Sequence, residues 1–400
     1  MKIIAPAGNL EKLKFAVLYG ADEVYLGGEL FNLRTQSKNF SLNDLEKAID
    51  FAHQHQRKIV FLLNSFLHEK SIPEAEKFIL SIKKLNFDAL MVSDPGMLAL
   101  LKKNQVKKNI HLSTQMNILN HLALHFWEEQ GIDRIVLARE TTLDEIKQIR
   151  PQVNLELEIF CHGALCIAYS GRCLLSRYLT GRNANEGDCS QSCRWNYSLI
   201  ETKRPNNYLD IIEDNNSTEI LSSKDLCLLE RLEAYLEAGI NSFKIEGRMK
   251  SLYYTANVTR VYKQAIHLAG SKDFKKFLPF WQKELDLVSH RPYTTDLFNE
   301  FDNLKFTKIP YIKKVLFMGY KISSGSQSEI LFKAFNPVYP GDQLEAIFPI
   351  IDNVIKDKSY KVKKIYDEAG NEIEIARPAQ TCLIKFDQPV DDQAIFRKMI

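Results

Sequence analysis

Over the first 250 residues, short apolar runs alternate with longer stretches in which apolar positions recur every three to four residues. The short runs fall at 2–5, 23–26, 59–63, 89–92, 110–113, 134–137, 155–160 and 242–245. Short β-rich runs of this length read as strands. The stretches between them, such as 9–19, 42–55 and 73–85, have helical spacing. Asn9 and Ser41 stand where helix N-caps belong, and Asp44 follows Ser41 by three residues, a shortened version of the capping box. Strand–helix alternation implies a parallel sheet covered by helices, and eight such strands predict a closed (β/α)8 TIM-like barrel. A doubly wound open sheet is the competing arrangement. No G-x-G-x-x-G follows any of these strands, which disfavours its dinucleotide-binding form.

The eighth strand is set back by a cysteine-rich insertion over about 161–241. After residue 306 the pattern changes to period two, predicting six strands at 311–322, 329–335, 343–348, 360–366, 372–376 and 381–386. Ser323-Ser324-Gly325, Pro340-Gly341-Asp342 and the run 367–371 read as turns between them. The expected organisation is a barrel over 1–270, a helical linker over 271–305 and a small antiparallel β-barrel over 306–400.

Composition narrows the class. The chain is 45% hydrophobic and 26% charged, ordinary globular usage, with a net charge of +3 that neither requires nor excludes nucleic acid. No apolar run approaches the ~20 residues of a membrane span, and residues 1–6 lack the apolar stretch of a secretion signal. The expectation is a soluble cytoplasmic protein with no membrane partner.

The cysteines point to chemistry. Five of the seven lie between Cys161 and Cys193, with Cys227 and Cys382 apart. An odd number, locally clustered, argues for metal or redox chemistry rather than a disulfide framework. The spacings from Cys166 to Cys173 and from Cys189 to Cys193 match neither a zinc ribbon nor a bacterial ferredoxin run. Four thiolates from a long loop and a distant residue can still hold a [4Fe–4S] cluster; zinc, or a set of buried small residues, is the alternative.

Polar residues gather at the predicted strand ends, where catalytic groups sit in such barrels: Asn64, Asp94, Ser113, Thr114, Gln115, Asn117, Arg139, Glu140, His162, Lys244, Glu246 and Arg248. Lys244, Glu246 and Arg248 alternate along the chain and so share a face. Arg139, Lys244 and Arg248 suit a small dianion, against the alternative that they close ion pairs at the barrel rim. A thiol nucleophile at Cys161 with His162 as base is a weaker reading, because neighbours on a strand face opposite ways. Arg172, Arg177, Arg182 and Arg194 surround the cysteines. Lys356, Lys358, Lys361, Lys363 and Lys364, interleaved with Tyr360 and Tyr366, read as a nucleic-acid face or as a lysine-protected edge strand.

Taken together, several motifs resemble the signature of the peptidase U32 family: Glu158-x-Phe160-x-x-Gly163-Ala-Leu-Cys166, Tyr169-Ser-Gly-Arg-Cys173-Leu-Leu-Ser176, and the Cys189–Trp195 run. Ser223-Lys-Asp-Leu-Cys227, the run 244–250, the opening Ala5-Pro-Ala-Gly8 and Pro340-Gly-Asp-Gln-Leu-Glu345 extend the likeness over the whole chain. Its length and terminal β-domain resemble the branch of that family that hydroxylates tRNA. The resemblance implies oxygen-independent hydroxylation of wobble uridine to 5-hydroxyuridine, a [4Fe–4S] cluster, and prephenate or a related dicarboxylate as co-substrate. It implies Cys166, Cys173, Cys189 and Cys227 as cluster ligands, with Cys193 the alternate for Cys189. The anticodon region of tRNA is the implied partner, and a homodimer or a heterodimer with another family member is an assembly it allows. Arg139, His162, Lys244, Glu246 and Arg248 remain the catalytic candidates from strand-end position. A collagenase-like peptidase, or an iron–sulfur scaffold without catalysis of its own, are the rival readings.

Overall fold

The computed structural model of the chain describes residues 1–34, 39–166, 172–194, 224–295 and 311–400, with short strands at Leu199–Ile200, Tyr208–Leu209, Ile212–Asp214 and Ser217–Glu219. Its contacts divide into two units. One comprises Met1–Val17, Ala21–Lys250 and His290–Ile312; the other comprises Leu18–Gly20, Ser251–Ser289 and Lys313–Ile400.

The first unit is a TIM-like barrel. Its eight parallel strands are Lys2–Pro6, Glu23–Gly27, Lys58–Leu63, Ala89–Val92, Asn109–Leu112, Arg134–Val136, Glu156–Ala164 and Ser242–Ile245, in sequence order around the wall. The eighth closes the barrel by pairing with the first (Lys2 opposite Ser242) and the seventh (Ser242 opposite Glu158). Helix starts are fixed locally. Thr142 and Glu145 form a full capping box, the Glu145 carboxylate accepting from the Thr142 N–H at 2.7 Å. Ser41 accepts from the Asp44 N–H at 3.2 Å. In place of the glutamate's reach back to the cap N–H, the shorter Asp44 carboxylate accepts from the Ser41 hydroxyl at 3.0 Å. Asp94, a strand-end candidate, caps the helix Pro95–Lys103 through the N–H groups of Gly96 and Met97.

The seventh strand forks. Up to Phe160 it runs parallel in the barrel; from His162 to Ala164 it pairs antiparallel with Asp225–Cys227, setting Cys227 opposite His162. Phe160 faces Lys244 and His162 faces Ile245, so Cys161 is the extra residue of a β-bulge. The cysteine-rich insertion thus leaves and rejoins the sheet at the carboxyl end of the barrel.

The second unit contains the helices Leu252–Leu268 and Lys272–Asp286 and a closed six-stranded antiparallel barrel. Its strands are Val315–Lys321, Gln327–Ala334, Gln343–Ile347, Lys358–Tyr366, Thr381–Val390 and Ile395–Met399. Two expectations are corrected here. The run 372–376 is not a strand and contributes only isolated bridges, Glu372 to Tyr366 and Ala376 to Val338. The last strand is instead Ile395–Met399, where three consecutive buried residues, Ile395, Phe396 and Arg397, hide the alternation. Phe396 fills the barrel core, while Arg397 is held by Glu284 at 2.7 and 2.8 Å and by Glu345 at 2.8 Å. Of the expected linker, Lys272–Asp286 is helix, and residues 296–310 lie outside the described ones.

Candidate active site

A cavity of about 220 Å³ opens at the carboxyl ends of the barrel strands. Its floor is Tyr25, Leu62, Met91, Val136, Phe160 and Lys244, all from the barrel. Its wall from the insertion carries Cys166, Cys173, Cys189 and Cys193. Arg139, Glu246 and Arg248 complete the rim, with Asn64, Ser113, Thr114 and Gln115. The strand-end reading therefore finds most of its residues around one space, and four cysteines face the same space.

The charges in this cavity are unequal. Among the described residues four cations line it (Arg34, Arg139, Lys244 and Arg248), against one carboxylate, Glu246. Glu246 is held between Arg139 (3.3 Å) and Arg34 (3.6 Å). The Arg139 guanidinium also lies 4.1 Å over the Phe160 ring. Lys244 is buried; its Nζ donates to Glu158 at 2.9 Å and sits 4.6 Å over the Tyr25 ring. Glu158 is itself fully buried and accepts from Arg134 at 3.1 Å, and Arg134 is clamped by Glu23 at 2.7 and 2.8 Å. A row of buried charges thus runs from Lys244 on the cavity floor down the barrel axis.

Arg248 differs from the other three cations. It is 3% exposed, and its guanidinium donates to two neutral amides, Asn32 Oδ1 at 2.9 Å and Asn39 Oδ1 at 2.5 Å. Its Nε is buried without a partner among the described residues. Burial lowers its pKa to about 10, still cationic at neutral pH. Gly27 makes room for it: a Cβ there would stand 2.8 and 2.9 Å from the guanidinium nitrogens. At Gly8 a Cβ would stand 2.5 Å from the Arg248 carbonyl oxygen. Strand-end position does not find Arg34, Asn32 and Asn39, which lie on the loop beyond the second strand. The signal for them is the Gly27-Gly28 pair that opens this loop, since glycine at a strand end marks close approach of another group.

Four candidates, His162, Cys227, Cys161 and Glu140, lie elsewhere. His162 is not among the residues lining the cavity. It is buried against Tyr293, ring centroids 5.2 Å apart, and desolvation drives its pKa down to about 3, keeping it neutral. Cys227, opposite His162, is likewise not on the cavity wall. Cys161 is completely buried and burial pushes its thiol well above the usual range, which is the wrong direction for a thiolate nucleophile. Glu140 is buried beside a separate space of about 30 Å³ that shares Arg139 and Phe160 with the main cavity.

The donor set suits a soft metal or cluster: thiols from the insertion share one wall with a nearby arginine, Arg34, whose charge interacts with Cys166 and Cys189. Among the described residues, no three Cys, His, Asp or Glu side chains converge to metal-ligating distance. No helix among the described residues is long and apolar enough to cross a membrane.

Comparison with known proteins agrees with this architecture. The chain is 36% identical over 406 aligned residues to tRNA hydroxylation protein P1 of Bacillus subtilis, covering 99% of this chain and 94% of that protein. It is 33% identical to tRNA hydroxylation protein P of Escherichia coli, covering 82% of this chain and 79% of that protein. It is 39% identical to the 23S rRNA 5-hydroxycytidine synthase of Escherichia coli over 66% of this chain and 39% of that longer protein. Residues 8–305 match Peptidase family U32, and with barrel, insertion and cysteine-lined cavity in place the chain belongs to that family.

Proposed function

We propose that this protein is an RNA-modifying enzyme that hydroxylates tRNA, converting wobble uridine to 5-hydroxyuridine without molecular oxygen. The observation that carries the reading is the cavity: among the described residues, four cations against one carboxylate, with Arg248 bonded to neutral amides, beside a wall of four cysteines. The names of the relatives supply the reaction class, hydroxylation of tRNA or rRNA bases. A cavity at strand carboxyl ends is where this fold places chemistry.

In this reading Arg248 and Arg139 bind the carboxylates of a small dicarboxylate donor, prephenate or a relative, through their planar forks. Glu246, held by Arg34 and Arg139, orients those guanidiniums and can carry a proton at Oε1 or Oε2. Lys244 holds positive charge at the floor, fixed by Glu158. Thiolates of Cys166, Cys173, Cys189 and Cys227 are the proposed holders of a [4Fe–4S] cluster, with Cys193 the alternate for Cys189. Bound there, the cluster would supply Lewis-acid or electron-transfer chemistry to the donor. The target base must leave its stack to enter the cavity.

Mass spectrometry of tRNA nucleosides tests the function directly. A strain lacking this protein should lack 5-hydroxyuridine-derived nucleosides and regain them with the intact chain. Their persistence in the deletion strain, or failure of the intact chain to restore them, rejects the reading. Iron content of anaerobically purified Cys→Ala variants tests the ligand set: loss at Cys166, Cys173 and Cys227 supports it, and one zinc per colourless chain rejects a cluster.

A further inference from the structure

Beside the cavity wall the chain forms a short helix, Leu175–Thr180, flanked in sequence by cavity-lining residues on both sides, Cys173 before it and Ala184 and Asn185 after it. Its inward side is tied down. Ser176 Oγ lies 2.9 Å from Ser190 Oγ and accepts from the Ser190 N–H at 3.0 Å, fixing the helix to the segment that carries Cys189. Its outward side is bare: Tyr178 is 86% exposed and Leu174 67% exposed. Residues 172–185 contain three arginines and no acidic residue. Arg182 is paired with Asp188 at 2.8 Å, but Arg172 and Arg177 are exposed and form no ion pair or hydrogen bond among the described residues.

An exposed aromatic ring following two exposed arginines, Arg172 and Arg177, that have no partner among the described residues, on a segment with no acid, complements a polyanion that also offers flat apolar faces. Single-stranded RNA has both properties: phosphates for the guanidiniums and bases that stack on a tyrosine ring. We propose that this helix and residues 172–174 before it form a docking surface for single-stranded RNA at the rim of the cavity. Tyr178 stacks on an unpaired base, and Arg172 and Arg177 contact the adjoining phosphates. The inference rests on the RNA-modifying reading of the same site and adds which surface presents the RNA to it.

The test measures binding of unfractionated bacterial tRNA to the full-length chain over a salt series, beside the nucleoside assay. Tyr178→Ala should weaken binding about tenfold, and Tyr178→Phe should restore it, because the stacking face is kept. The double variant Arg172→Ala, Arg177→Ala should flatten the slope of log affinity against log salt by roughly 0.7 for each phosphate left without its arginine. A merely structural role for these exposed side chains would not change that slope. Binding and salt slope equal to wild type in the variants, or no tRNA binding by the wild type, overturns the docking surface. If the wild type binds tRNA with the expected dependence on Tyr178 and the arginines yet restores no hydroxylated nucleoside, the docking surface stands and the hydroxylation reading falls.

Discussion

Glu158 is the residue on which the barrel interior turns. It is fully buried and joins two buried cations, Lys244 at 2.9 Å and Arg134 at 3.1 Å. Removing one partner of a buried ion group leaves the other charges uncompensated, at a cost of about 3–5 kcal/mol. Glu158→Gln should therefore lower the unfolding free energy by that amount, read from the urea midpoint at constant slope. Adding Lys244→Met to it should recover part of the loss, since one stranded charge is then gone. A single variant as stable as wild type would show that water reaches this interior. Arg248 makes the complementary case. Arg248→Lys keeps the charge but loses the fork that spans Asn32 and Asn39. Hydroxylation should fall about tenfold or more while the thermal transition stays put. Gly27→Ala, whose Cβ would press on the same guanidinium, should reproduce that loss. Full activity in both would reduce Arg248 to a rim residue without a role in donor binding.

At the scale of elements, the forked seventh strand decides which side chains meet. The short run at 155–160 predicts the barrel strand correctly, but the bulge at Cys161 lies beyond its reach, because a bulge depends on the partner strand's register. Strand-end position therefore names Arg139, Lys244, Glu246 and Arg248, which line the cavity, and His162, which does not line it and pairs with Ile245 beyond the bulge. The β-domain shows the same limit. Spacing in the Lys358–Tyr366 strand is legible, yet Tyr360 is buried in the core and cannot stack on a base, while Lys358, Lys361, Lys363 and Lys364 are exposed. Ile395–Met399 stays hidden in the sequence because a buried arginine reads as polar until its partner is known. The fork also has a pH signature. His162 is neutral in the fold down to about pH 3, whereas an unfolded histidine binds a proton below about 6.5. Protons taken up only by the unfolded chain destabilise the fold, so stability is lost as pH falls from about 6.5 toward 3, by at most about 1.4 kcal/mol per pH unit for this group. His111, also buried with its pKa well below normal, acts in the same direction. Urea midpoints at pH 7, 5.5 and 4.5 should decline more steeply for wild type than for His162→Gln, and parallel declines would mean that His162 takes up its proton in the folded state.

For the whole molecule, the sequence places a boundary after the barrel helices, so that a chain ending near residue 301 looks like a clean way to remove the β-domain. The contacts draw the line differently: Ser251–Ser289 groups with Lys313–Ile400. The reason is a buried ion network within that unit. Arg260 is fully buried and bonds Asp357 twice at 2.8 Å and Glu284 at 2.6 Å, and Glu284 in turn holds Arg397 at 2.7 and 2.8 Å. Cutting near 301 removes Asp357 and Arg397 and strands Arg260 and Glu284 on their helices. Such a truncation should be soluble only poorly and should be cut by protease within Leu252–Asp286, so its loss of tRNA binding would say nothing about the β-domain. Charge reversal on the exposed strand, Lys361→Glu with Lys363→Glu, leaves the network intact and is the informative variant. It should keep the wild-type thermal transition and weaken tRNA binding with a reduced salt slope if these lysines contact phosphates. A truncated chain that resists protease like the full-length protein would show that the two helices fold without the network.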